Sequence, residues 1–172
     1  MRGLKLFKKT MNEVDREVLT SLKIKYPESF KGVRVLELGS GNVNGTVRDY
    51  FEDTKEHIGV DFRKMDCVDL VSFAKDTKFR KSHFDTLISY SMIEHDPDWK
   101  ESLGNNFPFI KKGGLIFLAW GGESNAKHGE GYGGHHPVPL KEVKEFILSL
   151  GTEELEETNI GNNYIYLTVK KL

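Results

Sequence analysis

Val33-Arg34-Val35-Leu36-Glu37-Leu38-Gly39-Ser40-Gly41-Asn42-Val43-Asn44-Gly45 reads as a buried strand ending in a carboxylate, then a glycine-rich turn, then a helix start. A second apolar run, His57-Ile58-Gly59-Val60-Asp61, ends in an acid about one strand further on. The turn lets a ligand approach the backbone, and the acid can hold a ribose diol. Together they form the physical recipe for a nucleoside cofactor site in a βαβ unit.

The flanking chain supports alternating elements. Thr10-Met11-Asn12-Glu13 has capping-box spacing, and Met11, Val14, Val18, Leu19 and Leu22 then recur on one helical face. This helix is expected to pack on the sheet, with a lid over the cofactor as the other reading. Asn44 can cap a helix whose Val47, Tyr50 and Phe51 face inward. Val68–Val71 and Phe84–Ser89 read as the third and fourth strands. Asp96-Pro97 is expected to open a helix reaching about Phe109. Lys111-Lys112-Gly113-Gly114 ends it and leads into Leu115-Ile116-Phe117-Leu118-Ala119-Trp120, apolar enough for a strand buried on both faces. Pro139 starts a final helix that Gly151 stops, and strands near 152–158 and 164–170 close the chain as a hairpin.

The expected fold is therefore α/β: a Rossmann-like three-layer sandwich with a mostly parallel seven-stranded sheet and a C-terminal antiparallel hairpin strand. Residues 1–172 read as one domain, with 1–30 a helical extension and 121–139 a glycine- and histidine-rich loop over the site. Ligands in such sheets bind beyond the strands' carboxyl ends, where Glu37, Asp61 and Ser89 all fall.

Composition narrows the function. The chain has 172 residues, 38% hydrophobic and 30% charged, with a net charge of −1. No long-range field would gather polyanions, so duplex nucleic acid is disfavoured as a partner. Arg2, Lys5, Lys8 and Lys9 read as a solvated tail. The lone Cys67 permits no intrachain disulfide, reads as a structural or incidental thiol, and suits a reducing, cytoplasmic setting. No apolar run approaches the roughly 20 residues that span a membrane, and no secretory signal is expected.

The glycine spacing is G-x-G-x-x-x-G, displaced from the dinucleotide G-x-G-x-x-G. Glu37 would repel a pyrophosphate and suits a cofactor with an ammonium group and a sulfonium centre. Val35–Gly41 resembles the first motif of the class I S-adenosylmethionine-dependent methyltransferases, and Gly59-Val60-Asp61 their second. Phe84–His95 resembles the fourth-strand motif of the small-molecule type 11 branch, and Ile110–Phe117 the lead-in to the fifth strand. The resemblance covers about residues 31–150 in order. It implies S-adenosyl-L-methionine as cofactor, with Glu37 under the methionine amino group and the backbone of Gly39 and Gly41 close to the ligand. Ser40 and Asn44 belong to the same turn. Asp61 would take both ribose hydroxyls, Phe62 would lie against adenine, and Ser89 and Tyr90 would line the methyl end. This chain departs from the pattern at Val43, where many members have glycine, and at Ser72-Phe73, where many have an acid for the adenine amino group.

Chemistry on the acceptor is expected near Glu94-His95-Asp96. His95 could act as a general base; alternatively, Asp96 caps the helix and His95 packs beside it. Glu94, His128, Tyr132 and His135 are candidates for substrate contact. His128, His135 and His136 match no metal-ligand spacing, so no metal is expected and a lid is favoured. Nucleic-acid methylation lacks its Asn/Asp-Pro-Pro-aromatic or Pro-Cys signature. The expected activity is methyl transfer to oxygen or nitrogen of a small molecule, with a second subunit possible. The rivals are a cofactor-binding protein of little or no activity and a nicotinamide-dependent oxidoreductase.

Overall fold

A computed structural model describes residues 11–124 and 134–172. The basic N-terminal tail, Thr10, His128 and Tyr132 lie outside the described residues. Seven strands form one sheet: β1 (Arg34–Leu38), β2 (Glu56–Asp61), β3 (Leu70–Val71), β4 (Phe84–Tyr90), β5 (Ile110–Gly121), β6 (Thr152–Ile160) and β7 (Tyr164–Lys171). Their order is β3-β2-β1-β4-β5-β7-β6. β1 to β5 run parallel, whereas β7 is antiparallel to both β5 and β6. The order reverses between β1 and β4, so the switch-point crevice lies beyond Leu38 and Tyr90.

Each face has its own core, as the two-residue period of a strand requires. Leu36, Leu38, Leu87, Ile116 and Leu118 pack with Trp99, Leu103, Val143 and Ile147. The last four come from α2 (Trp99–Asn106) and α3 (Leu140–Ser149). Val35, Ile88, Leu115 and Phe117 pack on the other face with Leu19 and Leu22 of α1 (Glu13–Lys25). α1 starts two residues later than the Thr10 capping box implies. Asn12 is the N-cap, accepting from the Asp15 amide at 2.9 Å.

The helix expected after Asn44 does not form. Val47–Tyr50 makes a 3₁₀ turn capped by Thr46, whose Oγ1 accepts from the Arg48 amide at 3.2 Å. Asn42 instead closes a local turn by accepting from the Gly45 amide. Asn42, Asn44, Gly45 and Thr46 are poor helix formers, so the turn lacks the residues that would nucleate a helix there. The helix after β4 is also shorter than expected. A 3₁₀ turn over Ile93–His95 precedes it, Asp98 rather than Asp96 is its N-cap, and it ends at Asn106. β5 begins at Ile110, so Lys111–Gly114 belongs to the strand and does not form a turn before it.

No helix joins β3 to β4. A 3₁₀ turn, Ala74–Asp76, fills that place and is fastened to α2 by two asparagines. Asn106, fully buried, donates to the Ala74 carbonyl at 2.7 Å and accepts from Thr77 Oγ1 at 2.8 Å. Asn105 donates to the Thr77 carbonyl at 2.9 Å. Asn106→Ala is expected to lower stability by about 2 kcal/mol, because it strands buried polar partners. Urea unfolding measures that loss, and amide exchange should rise first in residues 73–77.

Candidate active site

A cavity of about 940 Å³ opens at the switch point. The glycine turn, the end of β2, the segment after β3, the turn after β4 and the ends of β5 and β7 enclose it, and the first turn of α1 completes the wall. Leu19 and Leu22 of α1 pack in the core, as expected, while Asp15 from its first turn and Met11 and Asn12 just before it line the cavity.

At the glycine turn, Gly39 has φ +77°, and a Cβ there would come within 2.8 Å of Met92 Cβ. A Cβ on Gly41 would lie 3.0 Å from Asp61 Oδ2 and closer still to Met65 Sδ. Its absence lets the Gly41 amide reach that oxygen at 3.2 Å. The other Asp61 oxygen accepts from the Arg63 amide at 3.1 Å, so the backbone orients the carboxylate at the cavity edge. Phe62 and Phe73 stack with parallel rings 5.9 Å apart and are both substantially exposed. Phe73 stands where the sequence lacks the expected acid; the position supplies aromatic surface instead.

Glu37 is almost fully buried and lines the cavity. Its Oε2 lies 2.7 Å from His57 Nε2 and 3.7 Å from Arg48 Nε. Arg48 continues over Gly59 to the Cys67 carbonyl at 2.9 Å and to Asp69. A Cβ on Gly59 would be 2.7 Å from the guanidinium. Burial pushes the Asp69 carboxyl up, but the Gly59 amide and Arg48 outweigh it and hold it below its usual value. Repulsion by Glu37 is thus partly offset by its neighbours. The stronger argument against a dinucleotide is the missing helix: the turn offers no helix N-terminus to receive a pyrophosphate. Nor is any Lys or Arg found among the described lining residues.

At the far end, Ser91 continues from β4 with φ +50°, a conformation held by its amide donating to the Ala119 carbonyl at 2.8 Å. Tyr90 lines the cavity, and its buried Oη has no hydrogen-bond partner among the described residues. Ser89 does not line it. It is fully buried, because the alternation of β4 turns its side chain to the opposite face from Tyr90. Glu94 and His95 both line the cavity; His135 is not among its walls, its ring centred 6.2 Å from that of His95. His95 Nδ1 bonds to the Gly134 carbonyl, so in the neutral ring Nδ1 carries the hydrogen and Nε2 is the basic atom. Asp96 accepts from the Asp98 amide at 2.8 Å and from Ser102 Oγ, bracing the start of α2. Trp120 ends β5 in the core, its Nε1 donating to the Val138 carbonyl at 2.9 Å.

Two buried carboxyls face this end. Burial pushes Glu94 up to about 7, against the opposing pull of the Gly121 amide, which it accepts at 2.9 Å through Oε1. Burial likewise raises Asp15 to about 6, while a hydrogen bond from Tyr166 pulls it down. Burial and Asp15 together raise the Tyr166 hydroxyl. Asp15, Tyr164 and Tyr166 were not foreseen as site residues, yet each left a signal. Asp15 shares the i, i+4, i+7 stripe of Leu19 and Leu22. A strand antiparallel to β5 also has to begin where β5 ends.

The folded protein holds the Glu94 proton more tightly than the unfolded chain, whose value is 4.5. The stability this group lends is complete below 4.5 and is lost as pH rises through about 7. Glu94→Gln removes that titration. Stability relative to the wild type should shift in the variant's favour by about 3 kcal/mol at most between pH 4 and pH 8, measured by urea unfolding at both pH values.

No family model matches the sequence, and no curated protein matches it. Solved structures do. A 1,6-didemethyltoxoflavin-N1-methyltransferase from Burkholderia thailandensis, solved with its substrate and S-adenosylhomocysteine, aligns over 92% of this chain and 78% of its own at 13% identity and TM-score 0.71. An S-adenosylmethionine-dependent methyltransferase from Mesorhizobium loti aligns over 93% and 99% at 8% identity and TM-score 0.71. The cyclase SpnF aligns over 94% and 83% at 11% identity and TM-score 0.74. With these neighbours and its 3-2-1-4-5-7-6 sheet, the chain has the fold of the class I S-adenosylmethionine-dependent methyltransferases.

Proposed function

We propose that this protein transfers a methyl group from S-adenosylmethionine to oxygen or nitrogen of a small molecule. The observation that carries the reading is the switch-point cavity, which presents the carboxylates Glu37 and Asp61 and has no seat for a pyrophosphate. When bound, the cofactor supplies an electrophilic methyl carbon attached to a sulfonium.

In this reading Asp61, held by the Gly41 and Arg63 amides, receives the ribose hydroxyls. Phe62 and Phe73 give adenine an apolar face in place of an acid. Glu37 offers its charge to the cationic end, and the buried hydroxyls of Ser40 and Tyr90 have hydrogen-bonding capacity left for the ligand. Gly39, Gly41 and Asn44 bring backbone to the same wall. Ser89 supports Tyr90 from within the sheet. The acceptor then occupies the end bounded by Glu94, His95 and Tyr166, where positioning supplies much of the acceleration. For a hydroxyl acceptor, His95, oriented by its Nδ1 bond to the Gly134 carbonyl, is the lining base that takes the proton.

A second reading, a binding protein or an enzyme of other chemistry, is favoured by one observation: a similar fold is borne by a cyclase. Thermal-shift and calorimetric titrations separate the readings. S-adenosylmethionine and S-adenosylhomocysteine should stabilise the protein and NAD should not. Asp61→Ala should weaken cofactor binding by about 30-fold, the equivalent of roughly 2 kcal/mol. Stabilisation by NAD alone would sink the proposal. Release of S-adenosylhomocysteine across an acceptor library decides between transfer and binding alone.

A further inference from the structure

The acceptor end has an electrostatic character that the methyltransferase reading does not require. Glu94 is 1% exposed, and its Oε2 is buried without a hydrogen-bond partner among the described residues. Leaving a buried acceptor unmet is costly. Its other oxygen is fixed by the Gly121 amide, so the carboxyl cannot swing away to find water without breaking that bond. Asp15 stands near enough for its charge to act on Glu94. No described Lys or Arg lines the cavity to neutralise either acid. Around them lie Tyr90, Tyr164 and Tyr166, which share one face of the sheet. Carboxyls set among aromatic faces complement a group that bears N–H donors and positive charge. An anionic acceptor, a phosphate or a carboxylate, would meet two acids with no Lys or Arg among the described lining residues to balance them.

We propose that the acceptor is an amine, recognised through an N–H bond received by Glu94 Oε2. This rests on the methyltransferase reading and narrows it from oxygen or nitrogen to nitrogen. The bound ammonium first gives one N–H proton to the ionised Glu94 carboxylate, which frees the nitrogen lone pair. That lone pair then forms the bond to the methyl carbon, the electron pair of the broken carbon–sulfur bond stays on sulfur, and the product leaves as the methylated ammonium. Asp15, steadied by Asn12 and Tyr166, adds negative potential from α1 and serves as a positioning residue.

The test uses the full chain saturated with S-adenosylhomocysteine and three probes of one carbon skeleton: 2-phenylethylamine, 2-phenylethanol and phenylacetate. Calorimetry should show the amine binding at least about tenfold more tightly than the alcohol or the acid. Glu94→Gln should abolish that preference and leave S-adenosylhomocysteine affinity within about twofold, with circular dichroism confirming the fold. Asp15→Asn should reduce the preference severalfold and keeps the proposal testable if the Glu94 variant fails to fold. Equal or tighter binding of the alcohol or the acid, no binding of the amine, or an amine preference surviving both substitutions would overturn it. Failure of the homocysteine product to bind would instead fall on the cofactor assignment, and the amine titration can then be run on the protein alone.

Discussion

The Arg48 guanidinium, lying across Gly59, joins three segments at the carboxyl end of the sheet. It faces Glu37 from β1, crosses β2 where no side chain stands, and ends on the Cys67 carbonyl and Asp69 before β3. With no helix between β1 and β2, this planar cation fixes the spacing there. It also offsets the charge of a carboxylate that would otherwise be buried with only His57 beside it. The glycine turn is tied to β2, its Gly39 and Ser40 amides donating to the Val60 carbonyl and its Gly41 amide to Asp61.

The other end of the cavity follows a different economy. Glu94 and Asp15 are acids taken out of water, and burial drives both toward their neutral forms. The Asn105–Asn106–Thr77 network, by contrast, pairs its polar groups with one another and with the Ala74 carbonyl. The contrast places the unspent hydrogen-bonding capacity of Ser40, Tyr90 and Glu94 around one cavity, where it is available to a ligand.

The central strands and their order of appearance were legible because each holds an apolar run bounded by turn residues, as in Phe84–Tyr90 and the run ending at Trp120, whereas the polar, exposed β6 was legible as the partner of β7 in a hairpin. The helices were less legible. The pattern of Val47, Tyr50 and Phe51 suits a helical face, yet the segment makes only a 3₁₀ turn over Val47–Tyr50, after a run of residues that form helix poorly. Asp96-Pro97 carries a helix-start signature, but a 3₁₀ turn intervenes and α2 begins at Trp99. Tertiary bonds to Ala74 and Thr77 then set where its polar residues point.

For the site, the sequence alone determined the glycine turn and the acid that closes β2, because these depend on neighbours within a few residues. Ser89 marks the limit of that logic: reading the strand end was right, but the face had to be chosen, and Tyr90 is the residue that reaches the cavity. Only the tertiary structure brought Asp15 from the first turn of α1 against Tyr166 of β7, a separation of 151 residues. Only it showed that Glu94 is buried with one oxygen bound to Gly121. Burial and long-range pairing set the charge state of an acid, and both depend on which distant segments pack around it.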